Sequence, residues 1–270
     1  MVVPPATQKA LEALYARFHR REFVPPDPLQ FLYDYPDPRQ REIVALLAAS
    51  LAFGRVKQIV RNVESVLTVI EERGYLRRPA TQRELTAAFA GFRHRWVTGE
   101  EVAALILGAQ SLQRHHGSLL NCFRRGVQAT DETLAPGLIA FVRELSRAAA
   151  GGCPSLVSSP ADGSACKRMF LFLRWMVRKD AVDPGGWESL GASRLIMPLD
   201  VHIHRICRML EMTTRKNATL TTAIEITEAF RSVSPDDPVK YDFAVSRLGL
   251  RHDADPKEFF AQCGLREAQP

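Results

Sequence analysis

The sequence predicts an all-α fold, on three observations. Apolar residues recur at three- and four-residue spacing through nearly every periodic segment, apolar–polar alternation is nowhere sustained, and aspartate–proline pairs punctuate the chain. Residues 7–21 set Ala10, Leu11, Leu14 and Phe18 on one helical face. The same spacing runs through 38–53, 56–72, 99–114 and 133–149, with Val56, Ile59, Val60, Val63, Val66, Leu67 and Ile70 as the fullest stripe. The pairs Asp27-Pro28, Asp37-Pro38, Asp183-Pro184, Asp237-Pro238 and Asp255-Pro256 suit helix starts. Aspartate accepts from unpaired helical N–H groups, and proline has the φ of a first helical position. Ser164 should open a helix of about fourteen residues. Another should follow Asp200, with Ile203, Ile206, Cys207 and Leu210 as its core stripe. No repeat suggests a solenoid. The loosest stretches are 151–160 and 182–198.

Composition narrows the function classes. The chain has 270 residues, 46% hydrophobic and 24% charged, which suits a folded globular protein rather than a disordered or fibrous one. The longest run free of charge and turn residues, Ile43 to Phe53, is about half of a bilayer span. The start, Met-Val-Val-Pro-Pro-Ala-Thr-Gln, lacks the pattern of a secretory signal. Five cysteines (Cys122, Cys153, Cys166, Cys207, Cys263) lie far apart without a C-x-x-C, so neither a disulfide framework nor a metal or iron–sulfur site is expected. A cytoplasmic, monomeric protein with reduced thiols is the expectation. The net charge of +6, with basic excess between Asp162 and Lys216 and a small cluster at Arg55, Lys57 and Arg61, suits a polyanionic partner.

One segment resists a purely structural account. In Pro160-Ala-Asp-Gly-Ser-Ala-Cys-Lys-Arg-Met-Phe-Leu-Phe-Leu-Arg-Trp-Met-Val-Arg178, residues 169–177 are apolar nearly all round, as in a buried helix. Lys167 and Arg168 stand in its first turn, where the helix end is already positive. Lys167, Phe170, Leu171, Arg174 and Arg178 share one face at 100° per residue. Apolar surroundings and neighbouring cations disfavour a protonated lysine, and an amine that sheds its proton can form a Schiff base. The alternative is a lysine that reaches solvent and binds phosphate. Asp200, in Met197-Pro-Leu-Asp-Val-His-Ile-His204, is either a plain N-cap or a catalytic carboxylate held ionised by capping. His202 and His204 are two apart on a helix and point in different directions, which disfavours a metal pair. Trp175 and Trp187 read as core.

Ser164-Ala-Cys-Lys-Arg with Leu173-Arg-Trp-Met-Val-Arg178, Met197-Pro-Leu-Asp-Val-His202 and Asp237-Pro-Val-Lys-Tyr-Asp-Phe243 resemble a bacterial family of uncharacterised proteins, over about residues 37–250. More distantly, the lysine-then-aspartate order is similar to the helix-hairpin-helix DNA glycosylases. The wide separation of Lys167 from Asp200 is most similar to the archaeal-type 8-oxoguanine glycosylases. The resemblance implies two helical subdomains with a cleft between them: residues 40–180 as one, 1–39 with 181–270 as the other. It also implies extrusion of a damaged nucleotide from double-stranded DNA. Lys167 would attack the sugar C1′, Asp200 would activate it and stabilise the developing cation, and elimination would nick the strand on the 3′ side. No metal or organic cofactor would be needed.

The grip on DNA draws on simpler physics as well as on the resemblance. The turn at Gly163 and Ser164, with Arg168 behind it, would bind phosphate through backbone N–H groups. It departs from the two-glycine Leu-Pro-Gly-Val-Gly hairpin, so its shape is open. His202 would touch a phosphate beside the flipped nucleotide. In Ala49-Ser-Leu-Ala-Phe-Gly-Arg-Val-Lys-Gln58, the residue filling the vacated gap falls at Gly54, leaving Phe53 or Arg55 as substitutes, while Arg55 and Lys57 suit phosphate contact. Asp242 is the expected base reader, since a carboxylate accepts from a purine N1–H and amino group, unless it pairs with Lys240 or Arg247. Three other functions fit these residues: a non-catalytic DNA-binding protein on the same scaffold, a glycosylase for another lesion or for RNA, and a helical adaptor.

Overall fold

Helix α1 (Pro5–Phe18) buries Ala10, Leu11, Leu14 and Phe18, the stripe expected from spacing. The computed structural model describes residues 2–150, 152–249, 251 and 253–265. Among these, twelve α-helices account for most of the regular structure, and the only sheet is one two-stranded ribbon, so the protein is all-α in class. None of the described helices is long and apolar enough to cross a membrane.

The helices follow the periodicity closely. α2 (Pro38–Ser50), α3 (Val56–Glu72), α5 (Gly99–His116) and α7 (Ala135–Ala148) match four expected segments within a few residues. Short helices α4 (Gln82–Ala88) and α6 (Leu119–Arg124) fill the connections around α5. The C-terminal third adds α8 (Lys167–Val177), α9 (Val201–Met209), α10 (Leu220–Arg231), α11 (Asp242–Arg247) and α12 (Pro256–Gln262). Three of the five aspartate–proline pairs start helical structure: Asp37 accepts from Arg39, Asp255 from Lys257, and Asp27 from Leu29 at the head of a 3-10 segment. Asp183 and Asp237 do not; each carboxylate pairs with Arg178 instead of heading a helix.

α2 packs on α8 and α5, α5 packs on α4, α6 and α7, and α1 packs on α11 and α12. The N-terminal helix therefore joins the C-terminal part of the chain. A single apolar core runs from Val3 to Cys263 through both groups. All five cysteines are free and buried, and burial pushes the Cys122 and Cys153 thiols up to about 11. Trp175 and Trp187 are core residues at 1% and 0% exposure.

A buried carboxylate holds α2 to α6. Glu42, 2% exposed, accepts from the backbone N–H groups of Leu119 and Leu120 at 2.7 and 2.9 Å, from Gln113 Nε2 at 2.9 Å and from Trp187 Nε1 at 3.0 Å. Two of these donors belong to the first turn of α6, where no intrahelical acceptor exists. Glu42→Leu leaves the Leu119, Leu120 and Trp187 N–H groups without an acceptor and should destabilise the protein by roughly 3 kcal/mol or more in urea unfolding.

Candidate active site

Lys167 and Asp200, distant in sequence, meet in space: Nζ lies 3.0 Å from Oδ2. Both side chains are part-exposed, at 35% and 26%, so the pair is neither sealed in the core nor splayed into solvent. Two local devices set this geometry. Asp200 is the N-cap of α9, with Oδ1 accepting from Ile203 N at 2.8 Å, which leaves Oδ2 for the lysine. Lys167 is the first residue of α8, three residues later than the expected start at Ser164. Cys166 before it is left-handed at φ 45°, an unfavourable conformation for a residue with a Cβ, and the chain turns there instead of continuing the helix backwards.

Burial by itself pushes the Asp200 carboxyl up. The Lys167 charge, the Ile203 N–H bond and the nearby His202 outweigh it, and the carboxyl lies below the usual range. The expected lysine crowded by cations is corrected. Arg168 turns away from Lys167, and the nearest charged partner of the amine is a carboxylate.

The remaining site residues divide. His202 is exposed, with its ring against Gly249, while His204 is buried and bonded at 3.0 Å to the Arg215 carbonyl. The two histidines do face apart. Arg55 and Lys57 are exposed at the start of α3. Gly163 and Ser164 form an exposed turn: Gly163 is left-handed at φ 73°, its carbonyl accepts from Leu220 N, and Ser164 pairs with Thr219. This turn precedes α8 by three residues, so it is tied to the start of α10 and does not itself open the helix.

Two assignments are corrected. Arg168 was expected at DNA, yet its Nη1 donates to the Ser50 and Ser155 carbonyls at 2.8 Å each, and its guanidinium lies 4.9 Å from the Phe53 ring centroid. It joins the end of α2 to the segment before α8. Asp242 was expected to read a base, yet it is 3% exposed and its Oδ2 accepts from Arg174 Nη1 at 2.5 Å. Its partner is neither Lys240 nor Arg247, because the α8 face that carries Lys167 also carries Arg174.

Sequence reasoning missed this buried charge cluster. Arg174 also donates to Asp183, and Arg178 binds Asp183, Asp180 and Asp237 at 3.0, 2.7 and 3.0 Å. His19 of the N-terminal segment reaches Asp180 at 2.9 Å. Burial pushes the Asp183, Asp237 and Asp242 carboxyls up against the pull of these arginines. Two arginines four apart on an otherwise apolar helix were the available signal, since buried cations need partners. A second missed signal is the run Arg93-His-Arg-Trp96, basic and aromatic residues interleaved on the two-stranded ribbon (β1, Arg93–His94; β2, Val97–Thr98).

These features define a mostly helical protein that presents the part-exposed Lys167–Asp200 pair and, on its surface, the exposed cations Arg55 and Lys57. The chain belongs to the family described as a protein of unknown function, DUF2400, whose model matches residues 27–251. No curated protein and no solved structure matches it.

The pair gives a pH signature. A carboxyl lowered in the fold contributes stability above its unfolded value near 3.9 and loses it as pH falls through the folded value. Asparagine keeps the cap acceptor for Ile203 but not the charge. Asp200→Asn should therefore be less stable than the parent at pH 7, with the gap closing as pH falls below about 4, as read by urea unfolding at pH 7 and near pH 2.

Proposed function

We propose that this protein is a bifunctional DNA glycosylase that removes an oxidised purine, 8-oxoguanine first among them, and then cleaves the strand. The observation that carries this reading is the Lys167–Asp200 pair, 3.0 Å apart and reachable from solvent. In the resting state the amine is occupied by its counter-ion. Asp200, at hydrogen-bond distance from the amine, relays the Lys167 proton onward to the departing base, which frees the nitrogen lone pair and returns the carboxylate to its ionised form. The nitrogen then bonds to the sugar C1′ as the glycosidic bond breaks, and the departing base keeps the bonding electrons and takes up a proton. Ring opening gives the Schiff base, and loss of a C2′ proton expels the 3′ phosphate.

Asp200 acts on the positive charge that builds at C1′. Its hydrogen bond from Ile203 holds it ionised and fixed, so little reorganisation is needed at the moment of reaction. The exposed Arg55, Lys57 and His202, with the Gly163–Ser164 turn, are the phosphate contacts in this reading. The glycosylase-like division into residues 40–180 against 1–39 with 181–270, with the nucleotide between, belongs to it as well. Packing of α1 on α11 and α12 supports that division. The choice of 8-oxoguanine rests on the resemblance of the Lys167–Asp200 layout, since Asp242 is committed to Arg174.

Borohydride added during reaction with an 8-oxoguanine duplex should trap a covalent protein–DNA adduct that disappears in Lys167→Ala. Asp200→Asn should slow adduct formation by about 10²–10⁴-fold while duplex affinity stays nearly unchanged, the mark of a group acting in the transition state. An adduct formed only on another lesion would redirect the substrate. Salt-dependent binding with no adduct on any lesion would make the protein a non-catalytic DNA binder.

A further inference from the structure

We propose that Trp96, laid on Phe53 beside Arg95 and in segments that also carry Arg55, Lys57, Arg61 and Arg93, is a stacking platform for an unpaired base of a DNA strand. Trp96 is 54% exposed, whereas the other two tryptophans are buried. It is not a loose side chain. Its ring stacks on Phe53 with centroids 4.9 Å apart at 28°, and Phe53 is braced in turn by His94 edge-on at 4.6 Å and by the Arg168 guanidinium at 4.9 Å.

The tip carrying Trp96 is also fixed. His94 is fully buried, with Nε2 bonded to the Phe53 carbonyl at 2.9 Å and Nδ1 accepting from Asn62 Nδ2 at 2.8 Å. These bonds fasten β1 to the α2–α3 joint. Arg95 sits at φ 57°, and its guanidinium lies 4.9 Å from the Trp96 centroid. Gly54, at φ +103°, makes room for it: a Cβ there would meet the Arg95 side chain at 3.3 Å.

The surroundings select the partner. Residues 53–63 and 89–99 carry five arginines and lysines, all exposed, and no acidic residue. A flat exposed ring backed by a second ring accepts any base, because every base has a π-face, and the cations meet the phosphates on either side. The platform is tied to the start of α8, since the Arg168 guanidinium, one residue after Lys167, lies over Phe53. The inference takes DNA as the partner from the proposed function but does not depend on the Schiff-base chemistry.

Intrinsic fluorescence reads the platform directly, because Trp175 and Trp187 are shielded. The titrants are a single-stranded oligonucleotide, a duplex with a stable abasic analogue opposite an unpaired base, an intact duplex and polyglutamate. The first two should quench the emission strongly and the intact duplex weakly. Trp96→Ala should lose the quenching and weaken binding of the gapped duplex by on the order of tenfold, with Trp96→Phe restoring most of the affinity. Since Trp96 is largely exposed, circular dichroism and melting of the alanine variant should match the parent. Duplex binding by anisotropy without any fluorescence change would overturn the platform and leave the DNA reading standing. Quenching with no borohydride adduct would keep the platform and remove the glycosylase. Equal quenching by polyglutamate, or no binding of any oligonucleotide, would overturn the platform.

Discussion

The structure depends on one face of α8. Lys167, Arg174 and Arg178 lie along it, and each meets acidic groups from the C-terminal third: Lys167 with Asp200, Arg174 with Asp242 and Asp183, and Arg178 with Asp183, Asp180 and Asp237. Arg174 and Arg178 are 3% and 4% exposed. Desolvating such groups is expensive, so the pairs add little net stability, yet losing one partner strands a buried charge at about 3–5 kcal/mol. Their effect is therefore on arrangement. An α8 rotated or slid by one residue would leave the guanidiniums unpaired in the core, so the cluster fixes the helix in register.

That register also places the amine. Once Arg174 and Arg178 face the segment holding Asp180, Asp183, Asp237 and Asp242, helical geometry turns Lys167 toward the same part of the chain. Packing of α9 on α11 brings the start of α9 there, and Asp200 is its cap. One carboxylate thus serves two partners, a backbone N–H through Oδ1 and the lysine through Oδ2. The cap fixes its orientation and the lysine fixes its charge. The left-handed Cys166 lies at the same junction, and strained backbone of this kind gathers at functional sites.

Much of this was legible beforehand for physical reasons. Amphipathic stripes register burial on one side only, so α3 appears in the sequence at its structural bounds, 56–72. Asp200 as a cap follows from local chemistry alone. What misled was local chemistry with a distant competitor. Asp183-Pro184 has the form of a helix start, but Arg174 and Arg178 take the carboxylate. Asp242 has the chemistry of a base reader, but its acceptor atom is committed in the core. Arg168 has the position of a phosphate contact, but two carbonyls hold it inward.

By itself the sequence determined the helical class, the spacing of the core stripes and the capped start of α9. Those properties follow from periodicity and from groups within a few residues of one another. Only the tertiary structure decided which charges are buried, which carboxylate faces the amine, and that an exposed tryptophan rests on Phe53. Those are contacts between segments far apart along the chain, and a side chain's partner is chosen by whatever packing brings within reach, which no local pattern encodes.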